Sequence, residues 1–445
     1  MILSRQYIES VVREIQAISG IPGIAVSVMN PYECFDITAG TISLGNDAPV
    51  TGKSGFQIGC ITKLLTCLVT MDLIDSGKLC LDAPVREYLP KLAVPKRSHE
   101  GELTIRHLAS HTGGYQGVNP GRPQAAHFYS WSHFREHFHS SPQLFSPGSV
   151  FSYKHTGAVI LGAIVQRVSG RHSDDLIQTK IIRPLGLDIG PHGGADSLVA
   201  DHVFDEVSDL YEIVRPMRFS RFWKASLSNW TAGTGDLVKV AELLAGKSSV
   251  CEIYPRVIRA AQEQYTGIPA VLRGTCGERI PISCGFGCMQ YRPSLFGHNG
   301  SSRGQTCGIR YDADQQLAVA VALNAWQPHI RDQLLNSILQ HGSSEAPRST
   351  CLSAAELEAS DVEGIYRGCV SGTQMRARRK RSSFNVDVLG STGDIEGTLI
   401  LAPDGAGEMF MKNRDHHMSV GFFREARTSR PCLMLGLTAF SKYDI

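Results

Sequence analysis

The chain of 445 residues has no uninterrupted apolar stretch near the roughly 18 residues that a membrane span needs. It also lacks charge of one sign. Lys and Arg number 44 against 42 Asp and Glu, so the formal net charge is +2 and no strongly charged partner such as nucleic acid is implied. One basic cluster, Arg376-Ala377-Arg378-Arg379-Lys380-Arg381, stands out and reads as a solvated hairpin tip. The 12 cysteines include no Cys-x-x-Cys pair and no short regular framework, which excludes a small disulfide scaffold or a zinc ribbon. Spread over this length they read as reduced thiols, which points to a cytoplasmic protein. No leader with a charged start and apolar core is present. The N-terminus opens directly into an amphipathic helix through Val11, Val12 and Ile15 that stops at Ser19-Gly20, again the expectation for a cytoplasmic chain.

What the chain does have is size and one unusual segment. With 42% hydrophobic residues it can bury a sizeable core and hold more than one domain. In Phe56-Gln57-Ile58-Gly59-Cys60-Ile61-Thr62-Lys63 a thiol stands three residues before a lysine, at the start of the apolar run Leu64, Leu65, Leu68, Val69, Met71, Leu73 and Ile74. That run keeps a helical period up to Ser76-Gly77-Lys78. A helix N-terminus favours an anion, and the i, i+3 spacing puts both side chains on one face. A thiol at a helix N-terminus beside a cationic group is of the kind that can act as a nucleophile with its base. Taken alone, the pair is as well explained by a core thiol.

The neighbouring segments resemble, in order, the motifs of the serine β-lactamase and penicillin-binding-protein superfamily, particularly its class C-like esterase and peptidase branch. Phe56 to Lys63, followed by Leu79-Cys80-Leu81-Asp82-Ala83-Pro84-Val85, is similar to the Ser-x-x-Lys motif. Thr104 to Gly114 resembles a segment that packs under the active site in that branch. Tyr153-Lys154-His155, before an apolar helix through Leu161, Ile164 and Val168, resembles Tyr-x-Asn. Gly297-His298-Asn299-Gly300, before the strand-like run Leu317 to Asn324, resembles the third motif, often His-x-Gly in the esterases. Two departures fall on the chemistry: Cys60 stands where the family has serine, and His155 where it usually has asparagine.

The resemblance implies a role for each residue. Cys60 attacks an acyl carbonyl, Lys63 holds its proton or stabilises its thiolate, Tyr153 shuttles a proton to the leaving group, and His298 assists that shuttle or binds a substrate carboxylate. The oxyanion hole would come from the Cys60 and Ser302 N–H groups. His155, Trp230, Asn299, Gly300 and Ser302 are the expected substrate contacts. Lys442, near the end of the chain, is the basic residue that a β tail would contribute. Lys154 is expected to point to solvent. No cofactor and no metal are implied.

Sulfur in place of oxygen bears on the substrate. An acyl-Cys is a thioester, more open to amines relative to water than an oxygen ester is. The expected activity is acyl transfer that releases, cyclises or transfers an acyl or peptidyl group in natural-product biosynthesis. The partners would be a small-molecule or peptidyl thioester or ester and an acyl or peptidyl carrier protein, without nucleic acid or membrane. The alternatives are a hydrolase of small esters or amides on the same fold, and an inactive homologue that only binds.

The fold class implied is α+β, a β-lactamase-like fold in which an antiparallel sheet flanked by helices is joined to a helical region, with a small C-terminal β domain. The sheet would use Ile24 to Met29, a Phe35 to Ile42 hairpin, Thr306 to Tyr311 and Leu317 to Asn324, followed by a helix from Ile330 to Gln340. Residues from about 56 to 290 would be mostly helical, with the site in the cleft between the two. The expected domains are 1–342, a linker at 343–352 containing Ser343 to Thr350, and a β domain at 353–445. Its strands would lie near Val362 to Gly368, Phe384 to Leu389, Gly397 to Ala402, Glu408 to Met411 and Leu433 to Phe440. That tail is architecturally similar to the lipocalin-like domain of penicillin-binding-protein-type thioesterases. In His127 to His139, His133 and His137 form an i, i+4 pair, yet no further cluster completes a tetrahedral site. The segment reads as an aromatic, substrate-facing lid.

Overall fold

In the computed structural model of the protein, the amphipathic N-terminal segment forms α1, Arg5–Ser19, with Ile8 and Val12 buried. Residues 4–92, 101–117, 131–191, 198–205, 208, 210–215, 230–246, 254–263, 265–268 and 281–339 are described, and of the C-terminal region the backbone of its strands. By internal contacts the chain divides into two units.

The first unit comprises Met1–Asp75, Arg171–Glu263 and Phe286–Ala346. Its sheet is built from β1 (Gly23–Met29), β2 (Cys34–Ser43), β3 (Asn46–Pro49), β4 (Met289–Arg292), β5 (Leu295–Ser301), β6 (Thr306–Asp312) and β7 (Leu317–Leu323). The strands lie in the order β3-β2-β1-β7-β6-β5-β4, and every pair registered in this run is antiparallel. The N-terminal strand thus sits beside the last one, with Val26 opposite Val321 on one side and Ile37 on the other. A sheet closed this way cannot form until residues some 300 apart in sequence meet. Strand β7, Leu-Ala-Val-Ala-Val-Ala-Leu, is buried at every position. Such a continuous apolar run is what a strand covered on both faces requires. At β2, nearer the edge, burial alternates and only Phe35 and Ile37 are fully inside.

Three helices cover this sheet: α1, α3 (Thr234–Leu243) on β1, β6 and β7, and α4 (Pro328–Leu339) on β6 and β7. The central helix α2, Ile61–Asp75, is different in kind. Every residue from Ile61 to Leu73 is buried, including Thr62, Lys63, Thr66 and Thr70. A helix apolar all round sits inside a domain rather than on its surface.

The second unit comprises Ser76–Gly170, Gln264–Gly285 and Pro347–Ile445. A short helix, Ile105–Ala109, begins at a capping box in which Thr104 and His107 satisfy each other's backbone N–H groups. The apolar stretch after Lys154 forms the helix His155–Ser169. In the helix Trp131–Ser140, Phe134 and Phe138 are fully buried and stacked at 5.8 Å, with Tyr115 edge-on to Phe138 at 4.8 Å. Phe134 and Phe138 are core rather than part of the expected substrate-facing lid. Residues 127–130 lie outside the described residues. His133 and His137 share this helix, and no group of three metal-ligating side chains occurs among the described residues.

The C-terminal strands close into an eight-stranded antiparallel barrel running from Gly364–Gly368 to Thr438–Lys442, whose last strand pairs back on the first with Lys442 opposite Tyr366. Two strands of this barrel were absent from the expectation, Gln374–Lys380 and His417–Arg424, and Leu433 to Phe440, expected as one strand, is the hairpin of Pro431–Leu435 and Thr438–Lys442. The first of them carries most of the basic cluster. Arg376 pairs with Ile365 on one side and Asp387 on the other, and Lys380 pairs with Ser383 at the hairpin end, so the cluster runs along a strand toward the hairpin tip. Arg381 and the linker Ser343 to Thr350 lie outside the described residues. No described helix is long and apolar enough to cross a membrane.

Candidate active site

Gly59 and Cys60 form the turn that feeds α2. The carbonyls of Ile58, Gly59 and Cys60 accept from Ile61, Thr62 and Lys63 N–H at 3.1, 3.2 and 2.9 Å, so the helix starts immediately after the thiol. Gly59 adopts φ +46, a left-handed conformation that costs a side chain little only when there is none. A Cβ there would stand 2.5 Å from the Ser301 oxygen and 2.8 Å from its nitrogen. The turn is therefore pressed against the end of β5. Gly300 makes the reciprocal approach, since a Cβ on it would collide with the Ile58 carbonyl and meet the Cys307 sulfur at 2.6 Å.

Lys63 Nζ lies 3.1 Å from Cys60 Sγ. The thiol is half-buried, while Lys63 is fully buried. Burial lowers the Lys63 pKa, opposed by the neighbouring Cys60. A lysine whose cation is penalised this way is a better proton acceptor near neutral pH than one in water. The surrounding thiols behave oppositely. Cys67, Cys288 and Cys307 are buried, and burial pushes each up to about 12, so at neutral pH they stay protonated and poorly nucleophilic. Cys60 differs from them in being partly accessible and in hydrogen-bonding distance of an amine.

Strand alternation sorts the third motif into two faces. His298 is 2% exposed and close enough to Lys63 to feel its charge. Burial first and that charge second bring the His298 pKa down from the usual 6.5 to about 3, while its Nδ1 lies 2.6 Å from the Asn299 carbonyl. His298 is thus neutral at working pH, and whether it assists the shuttle or meets a substrate carboxylate, it does so as a neutral hydrogen-bonding imidazole. Asn299 points the other way. Its Oδ1 accepts from Arg310 at 2.8 Å and its Nδ2 donates to Asp332 at 3.4 Å, in a network with Arg331 and with Arg310 lying 3.5 Å over the Tyr291 ring. Asn299 belongs to this ion network beneath the strand.

The depressed His298 pKa sets a pH dependence of stability. Between about 3 and 6.5 the unfolded chain binds a proton here that the folded chain does not, so stability is full above 6.5 and falls as pH drops toward 3, by up to about 1.4 kcal/mol per pH unit. Denaturant unfolding of wild type and His298→Gln from pH 7 to 4 checks this. Wild type should lose stability relative to His298→Gln as pH falls, and a constant difference would contradict it.

Ser302 also changes role. Its N–H donates to the Gln305 carbonyl at 2.9 Å, which corrects its expected place in the oxyanion hole, and the backbone that meets Gly59 is that of Ser301. Gln305 anchors this turn from inside, accepting from Gln57 N–H at 2.8 Å and donating to Asp201 Oδ1 at 2.5 Å. Trp230 is buried and supports the nucleophile's segment through its carbonyl, which accepts from Ile58 N–H at 3.0 Å. The strand Thr231–Ala232 continues that pairing with Phe56–Gln57. Asp236, in the first turn of α3, accepts from Asp188 N–H at 2.9 Å and pairs with Lys239 at 3.0 Å, a structural cap.

In the second unit, Tyr153 and His155 are half-buried, with their rings edge to face at 6.1 Å. Lys154, expected in solvent, is buried, with its ammonium donating to the Tyr115 carbonyl and lying 4.6 Å over the Tyr115 ring. His111, which sequence reasoning passed over, stacks on Tyr153 with ring centroids 4.4 Å apart. No periodicity marks it; its unusual backbone appears only in the fold. Lys442 lies in the last barrel strand, and its side chain is outside the described residues.

Comparison with known proteins matches residues 8–342 to the family model described as Beta-lactamase. Penicillin-binding protein 4 of Amycolatopsis lactamdurans is 33% identical over 170 residues, 38% of this chain and 44% of that protein. A D-aminopeptidase of Gluconobacter oxydans is 25% identical over 311 residues, 68% of this chain and 56% of that protein. The chain thus matches about half the length of these curated relatives. Among solved structures, one titled "Crystal structure of SurE" superposes with a TM-score of 0.76 at 21% identity and covers 99% of both chains, a likeness of fold.

Proposed function

The chain belongs to the Beta-lactamase family, and from that premise we propose that it catalyses acyl transfer through an acyl-Cys60 intermediate, with Lys63 as base. The 3.1 Å contact between Cys60 Sγ and a fully buried Lys63 carries this reading, since it is the nucleophile and base pair that covalent acyl transfer needs. The substrate is a thioester or ester of an acyl or peptidyl group, delivered as a small molecule or on a carrier protein. A catalytic region at 1–342, a linker at 343–352 and a β domain at 353–445 belong to the same proposal, as does a cytoplasmic location.

Each step balances. Lys63 takes the thiol proton as Cys60 sulfur attacks the carbonyl carbon. The negative charge that develops on the carbonyl oxygen is met by the N–H groups of Cys60 and of Ser301, whose nitrogen abuts Gly59. The bond to the leaving thiol or alcohol breaks, and that group receives, relayed through Tyr153, the proton that Lys63 took from the thiol, a role assigned to Tyr153 by its motif. An amine then attacks the acyl-Cys, the carbon–sulfur bond to Cys60 breaks, and the proton lost by the amine returns to the Cys60 sulfur. His298, neutral, stands by as a hydrogen-bonding group. His155 remains the proposed substrate contact beside Tyr153.

Hydrolysis is the second reading, favoured by relatives such as the D-aminopeptidase named above, and differs only in the acceptor. Intact-protein mass spectrometry decides. Wild type incubated with acyl and peptidyl N-acetylcysteamine thioesters should gain the acyl mass and Cys60→Ala should not. Discharge faster with amine than with water supports transfer, discharge indifferent to amine supports hydrolysis, and no adduct on any substrate removes the proposal.

A further inference from the structure

His111 follows the short helix Ile105–Ala109 with φ +57, in the left-handed region where a side chain costs roughly 1–2 kcal/mol. It is also buried. A strained, buried residue persists only where its surroundings hold it there. The surroundings of His111 are four consecutive residues of the second motif. Its carbonyl accepts from Ser152 N–H at 2.8 Å, and its Nδ1 accepts from Lys154 N–H at 3.3 Å. Its ring meets Phe151 edge-on at 6.0 Å and stacks on Tyr153 at 4.4 Å, tilted by 40°. One residue thus holds the main chain on both sides of Tyr153 and the tyrosine ring as well. The left-handed backbone is what turns carbonyl and imidazole toward the same segment.

We propose that His111 is a positioning residue for Tyr153, clamping the 151–154 segment so that the phenol is held in one orientation for proton transfer. This rests on the reading of Tyr153 as the proton shuttle. Because Nδ1 accepts from Lys154 N–H, the imidazole carries its hydrogen on Nε2 and is neutral in this arrangement. It touches no reacting atom in this role; it acts through Tyr153. A group displaced by about 1 Å costs on the order of 10²-fold in rate.

The experiment compares wild type, His111→Gly and His111→Asn. Glycine keeps the left-handed backbone without a ring or acceptor. Asparagine tolerates that backbone and offers an oxygen to Lys154 N–H. His111→Gly should acylate Cys60 about 10²-fold more slowly with nearly unchanged KM, and His111→Asn should recover part of the loss. A second readout needs no substrate. In protein labelled with 3-fluorotyrosine, the ¹⁹F resonance of Tyr153, assigned by its loss in Tyr153→Phe, should shift in both variants because the stacked ring is gone. An unmoved resonance, or a wild-type acylation rate in His111→Gly, overturns the proposal. If His111→Gly does not fold, the resonance in His111→Asn decides alone. Failure of wild type to form any adduct would instead strike the proposed function, leaving the resonance to judge the clamp.

Discussion

Lys63→Met should slow acylation of Cys60 by about 10³-fold, within the range that a positioned general base contributes, while the protein stays folded. The two halves of this result have one cause. Lys63 is fully buried in a helix whose other buried residues are mostly apolar or hydroxyl-bearing, and burial lowers its pKa. Keeping an amine there opposes stability, because its charged form is desolvated with only partial compensation from Cys60. Methionine fills a similar volume with no group to desolvate, so the melting temperature should hold or rise. The thiol then has no amine at 3.1 Å to take its proton. Adduct formation followed by mass spectrometry, with a thermal melt of the same samples, checks both. Acylation at the wild-type rate would show that Lys63 is a structural lysine, and unfolding would show that its bonds outweigh its desolvation.

Cys60→Ser gives the second large effect. Acylation by a thioester should fall by about 10²-fold or more, because a hydroxyl depends more heavily than a thiol on base assistance during attack. The acyl-enzyme that does form is an oxygen ester. Exchange between thioester and thiol, nearly balanced in energy, is replaced by a downhill step into a less reactive ester, so discharge to an amine should lose its advantage over water. The measurement is the ratio of amide to free acid product in wild type and Cys60→Ser, beside the acylation rate. Serine with full activity and an unchanged ratio would remove the case for a sulfur enzyme and return the chain to ordinary hydrolase chemistry.

Much of the scaffold was legible before the structure. The helical period from Leu64 to Ile74 and the continuous apolar run of β7 announce a buried helix and a doubly covered strand, because burial on all sides leaves no room for polar alternation. The i, i+3 spacing of Cys60 and Lys63 was enough to bring sulfur and amine together, since helix geometry alone sets that distance. Read with strand alternation in mind, Gly297 to Gly300 would also have put His298 and Asn299 on opposite faces.

What the sequence determined by itself was therefore local: the elements, the nucleophile and base pair, and the order of the motifs. Only tertiary structure decided the electrostatics and the neighbours. The low His298 pKa comes from burial and the charge of Lys63, 235 positions away in sequence. Asn299 is engaged by Arg310 and Asp332, whose reach depends on how β6 and α4 pack. Ser302 lost its N–H to a turn carbonyl. His111 met Tyr153 because a left-handed residue redirected the chain. Desolvation, charge and long-range contact are properties of a filled volume, and no spacing along a chain contains them.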